Sequence, residues 1–190
     1  QGIVDGTFPP VDVQEATKPS DETEKIDGVI FTASDHVAIS TEELSDIFAA
    51  GETVTITKSV DGDIFAAGER VTVAIPDGAV GGSLRLIGSE VTIEASIQRN
   101  AFIVGDTVHI KQDAAITGDT HIYANRIIID GTLEDSATLT GEHITINGTL
   151  SGKSALTAKH VDMTSTAVIN ANTHVYSENH VTQHSQVTGA

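Results

Sequence analysis

The feature that most constrains this chain is a segment that returns almost unchanged 17 residues later. Residues 46–56 read DIFAAGETVTI and residues 63–73 read DIFAAGERVTV. The frame continues through SLRLIGSEVTI (83–93), NAFIVGDTVHI (100–110), DTHIYANRIII (119–129), SATLTGEHITI (136–146) and KSALTAKHVDM (153–163). A weaker copy, VIFTASDHVAI, precedes them at 29–39, and a degenerate one lies in THVYSENHVTQ at 173–183. A short fixed period marks an array in which each repeat buries its apolar side only against its neighbours. The spacing stretches to 19–20 residues at short inserts, one of them the turn sequence Pro76-Asp77-Gly78.

Read down the stack, the repeat resolves into columns. One runs Val37, Val54, Val71, Val91, Val108, Ile127, Ile144, Val161, and two residues later another runs Ile39, Ile56, Val73, Ile93, Ile110, Ile129, Ile146, Met163. A spacing of two puts both on one face of a strand. A third apolar column, Val60, Val80, Ile97, Ile116, Leu133, Leu150, Ile169, closes each coil. Small residues (Ser34, Gly51, Gly68, Gly88, Gly105, Ala124, Gly141, Ala158) precede the Val column by three, where a sharp corner would use the dihedral freedom of glycine. The β-branched V-x-I pattern and frequent Asp-Gly and Asn-Gly pairs disfavour helix. Only Thr41-Glu42-Glu43-Leu44 offers a helical turn. The pattern predicts an all-β fold, a single parallel β-solenoid of about nine coils of 17–20 residues over 28–190, preceded by an acidic extended arm over 1–27. Rungs about 4.8 Å apart would make a rod of about 40 Å.

The net charge is −17, from 27 acidic and 10 basic side chains among 190 residues. Nucleic acid is therefore an unsuitable partner, since phosphate binding needs Lys/Arg patches. No apolar run approaches the roughly 18 residues of a membrane span, so direct membrane insertion is not expected. The absence of Cys excludes disulfides and thiolate metal sites. Beginning at Gln1, the sequence fits a mature product after signal removal, or a trimmed chain. Few Lys, no Cys and abundant Thr lean toward an extracellular or cell-surface location, with a cytoplasmic cytoskeletal one as the alternative.

The repeating G-[DE]-x-V-T-[IV] with intervening D-G-D-[IL] resembles bactofilin-like, polymer-forming β-helix proteins of bacteria and related exported β-helix ectodomains, over about 29–170. The resemblance implies a right-handed β-helix, no catalysis and end-to-end polymerisation into filaments. It carries no catalytic residues over to this chain. The acidic, Pro-containing 1–27 segment departs from the family, being neither a basic nor an apolar membrane-targeting tail.

The column Phe31, Phe48, Phe65, Arg85, Phe102 holds four of the five Phe. By the alternation it faces outward, beside Ala33, Ala50, Ala67, Ile87 and Val104. Soluble monomers seldom leave such an apolar stripe open. The arm, with Ile3, Val4, Phe8, Val11 and Val13, would cover it, or the stripe would meet another subunit, or one subunit's arm would cover the next subunit's stripe.

Candidate chemistry elsewhere has a simpler structural reading. His143 and His160 share a column below Arg126, about one rung apart, and would supply two imidazoles to a metal. No third ligand is evident beyond the flanking Glu142, and a solvated ladder explains the pair. Asp46, Asp63 and Asp119 share a corner column with Ser83 and Asn100 between them. Calcium is the functional reading there, with Asp61 and Asp63 as the best pair, but Ca²⁺ wants six to eight oxygens, and turn chemistry accounts for the column. The six-residue subperiod of hexapeptide acyltransferases fails in a 17-residue coil, and no long insertion forms the cleft of a polysaccharide lyase. Asn147-Gly148-Thr149 matches a glycosylation sequon and equally an Asn-Gly turn. The expectation is a structural subunit that stacks end to end into filaments or a surface polymer, with a neighbour's N-terminal arm as a candidate lock, without a cofactor and with itself as its partner. The alternative is a monomeric ectodomain acting as a spacer or binding module.

Overall fold

Alternating β-branched residues close into coils, as the pattern requires. A computed structural model of the chain describes residues 22–26, 28–170 and 172–188, and among these every regular element is a strand. The strands are β1 (Glu22–Ile26), β2 (Val29–Ala33), β3 (His36–Ile39), β4 (Ile47–Ile56), β5 (Ile64–Val80), β6 (Leu84–Ile97), β7 (Ala101–Ile110) and β8 (Ala115–Ile116). They continue as β9 (Thr120–Ile129), β10 (Thr132–Leu133), β11 (Ala137–Ile146), β12 (Thr149–Leu150), β13 (Ser154–Met163), β14 (Val168–Asn170), β15 (His174–Gln183) and β16 (Gln186–Thr188). None of the described residues forms a helix long and apolar enough to cross a membrane.

The result is a parallel β-solenoid of about nine turns. Each turn has three faces. In the second turn they are Ile47–Ala50, Thr53–Ile56 and the short stretch at Val60, which bridges to Glu43 and Val80. The register repeats one coil onward, so that Phe48 pairs with Phe65, Val54 with Val71 and Ile56 with Val73. It shifts between Ala74 and Ala79, where the Pro76-Asp77-Gly78 insert lies.

The three apolar columns read from the sequence are the core. From Val54 to Ile146 the Val and Ile columns are at most 1 % exposed, and Val60 to Leu150 are fully buried. The first face adds two inward columns that exchange bulk along the rod. Ile47 over Ala49 and Ile64 over Ala66 give way, through Leu84 and Leu86, to Ala101 with Ile103 and Ala137 with Leu139. A large and a small residue thus share one cross-section in most turns, which keeps the coil volume near constant, as close packing demands. Thr120 takes the small place in the sixth turn, fully buried, and its Oγ1 has no hydrogen-bond partner.

Three features differ from the sequence expectation. The stretch Thr41-Glu42-Glu43-Leu44 is not helical. Its backbone serves as the third face of the first turn, Glu43 N–H donating to Ser59 O and Asp61 N–H to Glu43 O. The corner glycines do not use unusual dihedrals, for among the described glycines only Gly28 has positive φ, at 87°. They are small because the coils approach there: a methyl group at Gly68 would stand 2.5 Å from Gly51 O, and at Gly105 2.7 Å from Gly88 O. Finally, part of the proposed arm belongs to the sheet. β1 pairs antiparallel with β2, Glu22 opposite Ala33 and Ile26 opposite Val29, and so covers the outer edge of the first rung. Gly28 supplies the left-handed conformation a tight hairpin needs, and Lys25 pairs with Glu43 at 3.6 Å.

Candidate functional site

The first face carries the site. Its outward columns alternate with the core columns Ile47/Ala49 and their equivalents, so a strand that buries Ile47 and Ala49 must present Phe48 and Ala50 outward. In-register parallel pairing then stacks like on like. The Phe31 and Phe48 rings lie 5.1 Å apart with planes 15° apart, and Phe48 and Phe65 4.4 Å apart at 5°. The Arg85 guanidinium continues the ladder, 4.7 Å above the Phe65 ring, while its Nη1 holds Asp63 Oδ2 at 3.0 Å. Phe102 follows, tilted 50° against Tyr123 at 5.9 Å.

Beside the ladder, Ala33, Ala50 and Ala67 are exposed, and the step between bulky Phe and small Ala makes a groove of about 690 Å³. Phe31 is 43 % exposed, Phe102 44 % and Ile87 57 %, whereas Phe48, Phe65 and Val104 are half-buried. Every stripe residue singled out from the sequence therefore lies on this one face. The arm residues Ile3, Val4, Phe8, Val11 and Val13 lie outside the described residues.

Past the fifth turn the same columns become polar. Phe102 is followed in register by His121, Thr138 and the small Ala155, and Val104 by Tyr123, Thr140 and Thr157. The later turns hold the same sheet without an aromatic ladder, so the solenoid does not need one. Stacked rings add about 0.5–1.5 kcal/mol per pair between rungs, but the exposed ring edges remain unexplained by folding alone.

The corner column ties each coil to the next rather than capping its own turn, which corrects the local-turn reading. Asp46 Oδ1 accepts the N–H of Asp63 at 2.8 Å, Asp63 Oδ1 that of Ser83 at 2.8 Å, and Asn100 Oδ1 that of Asp119 at 3.0 Å. The Ser83 N–H, together with Arg85, holds the Asp63 carboxyl below the usual carboxylate range despite the opposing effect of burial. With both oxygens engaged and a guanidinium alongside, Asp63 is poorly disposed toward a divalent cation, and Asp61 does not complete a set with it. Among the described residues no three His, Asp or Glu side chains converge on a common point.

His143 and His160 do stack, 4.7 Å apart and 5° from parallel, with Arg126 before them and His180 next in register. Nitrogen lone pairs lie in the ring plane, so parallel rings do not aim at one ion between them. A pair that sequence reasoning missed is His109 Nε2 with Asp130 Oδ2 at 2.6 Å, Asn147 donating to Asp130 Oδ1 at 2.6 Å. Burial raises the Asp130 carboxyl, but the hydrogen bonds from Asn147 and His109 outweigh it and hold it below its usual range. The partners are one coil apart, a separation that becomes legible only once the register is fixed.

No family model, curated protein or solved structure matches the chain. The fold accords with the β-helix part of the sequence resemblance, and its bactofilin-like part rests on the repeat alone.

Proposed function

We propose that this chain is a structural, self-associating β-solenoid subunit, joined to its neighbours through the apolar face of its first five turns. The supporting observation is the asymmetry of that face: stacked Phe beside Ala outward in the early turns, and His121, Thr138 and Ala155 beside Tyr123, Thr140 and Thr157 in the same columns later, on one continuous sheet. Exposed apolar surface that folding does not require is the usual mark of an interaction site. End-to-end stacking into filaments is the second joint in this reading. At the first turn a neighbour would meet β1, which runs antiparallel to the rung it covers, so a simple parallel continuation there is obstructed. The side face is the better joining surface for that reason.

The reading assigns the subunit no catalysis and a place outside the cytoplasm or at the cell surface, in keeping with its acidity and lack of Cys. The test is electron microscopy of the purified chain across a concentration series. Regular assemblies are expected, lost on replacing both Phe48 and Phe65 by Asp. Dispersed particles at every concentration would overturn the reading in favour of a monomeric spacer or binding module.

A further inference from the structure

The groove beside the Phe ladder lies where the chain itself enters the fold. Glu22, the first residue of β1, pairs with Ala33, and Ala33 lines the groove. Glu22 lies one strand outside the rung of Ala33, so from it to the rung of Phe102 is five strand spacings, about 24 Å at the usual spacing. The eight residues 14–21 span up to about 26 Å when extended, so residues 7–13 can lie anywhere along it.

The composition of that segment suits the site. Residues 7–13 read TFPPVDV, with Asp12 the one charge, and offer Phe8 and Val11 on either side of Pro9-Pro10. Two successive prolines favour the extended polyproline II form, which aromatic-lined grooves bind at low entropic cost. The groove volume of about 690 Å³ falls in the range of small-ligand sites, roughly 300–1,000 Å³, and so suits a few residues of an extended peptide. Tethering gives the segment an effective concentration on the order of millimolar, well above that of a second subunit at micromolar concentration.

We infer that the resident occupant of the groove is the chain's own segment 7–13, folded back onto its own first face, and that subunits join through this face only when the segment is displaced. The second clause rests on the self-association reading above.

The chain contains no Cys, so paired cysteines report contacts without background. Val11→Cys would be combined with Ala67→Cys in the groove and, as a control, with Thr72→Cys on the second face of the same turn. Ala67 is exposed and Thr72 faces outward and is half-buried, so neither change disturbs the core. With a short thiol–thiol cross-linker at low protein concentration, the groove pair should form an intrachain product roughly tenfold faster than the control pair. Introducing Phe8→Asp should erase that preference, and in the otherwise native chain it should shift self-association to lower concentration. Equal rates for the two pairs would overturn the proposal. A predominantly interchain product would also overturn it, placing one subunit's segment in another's groove. A fast intrachain product with a Phe8→Asp chain that stays monomeric would leave the docking standing and remove the self-association.

Discussion

Replacing the corner glycines by alanine separates two reasons for their presence. If glycine is there for room, the cost of a methyl group should follow the local clearance. At Gly51 and Gly141 the added carbon falls well inside contact with the carbonyl oxygens of Ser34 and Ala124. At Gly68 it stands 2.5 Å from Gly51 O, at Gly105 2.7 Å from Gly88 O, and at Gly88 2.9 Å from Gly68 O. Overpacking of this kind costs about 1–3 kcal/mol. Against it stands a gain of about 0.4–1 kcal/mol, because alanine restricts the unfolded chain where its native dihedrals are ordinary. Gly51→Ala and Gly141→Ala should therefore lose about 1–2 kcal/mol, Gly68→Ala less, and Gly88→Ala should come out near zero. Ala124 already occupies the column, 8 % exposed, so Ala124→Gly should lose about 0.5–1 kcal/mol. Urea denaturation followed by circular dichroism measures the series. Equal losses at all glycines, together with a stabilising Ala124→Gly, would refute the steric argument and restore a dihedral one.

Other consequences are independent of the corners. Thr120→Val removes a fully buried hydroxyl without a partner and should stabilise by about 1–2 kcal/mol, seen as a higher urea midpoint; an unchanged midpoint would mean that the hydroxyl is satisfied. Asp63 and Asp130 titrate below their ordinary range in the fold, so their contribution is present above about pH 4 and is lost as pH falls through the folded values. Asp63→Asn should then lower stability at neutral pH and flatten the acid limb of a stability–pH profile, whereas a profile parallel to the native one would contradict the assignment. Since each subunit carries a net charge of −17, self-association through an apolar face should strengthen from low to moderate salt; light scattering that falls with added NaCl would point to a charged joint instead.

The parts of this structure that were legible in the sequence are those set by periodicity. The Val, Ile and third-face columns and the outward Phe ladder follow from alternation within a coil and identity between coils, and both survive the inserts. The corner Asp and Asn column was legible as a set of backbone-bonding residues, but its partners were not: each accepts an N–H of the next coil rather than a local one, a contact that only the register reveals. The hairpin strand β1 was not. Its sequence ETEKI has no alternating apolar pattern and lies in an acidic stretch outside the repeat, and its position is fixed by pairing with β2. The helical reading of Thr41-Glu42-Glu43-Leu44 failed because one rung's backbone needs are met by the next, Glu43 being held between Ser59 and Asp61. Composition within four residues cannot register that constraint. The reason for the glycines was also hidden, since dihedral freedom and lack of a side chain leave the same letter in the sequence.

The central claim is that the apolar face of the first turns joins subunits, and sedimentation equilibrium of the native chain beside Phe48→Asp/Phe65→Asp tests it most directly. Both positions are half-buried and point away from the core, so the variant should keep the β-sheet signal of the solenoid. The account predicts a weight-average mass that rises with concentration above the 19.8 kDa of one chain for the native protein and stays there for the variant. Identical mass curves for the two proteins would contradict it.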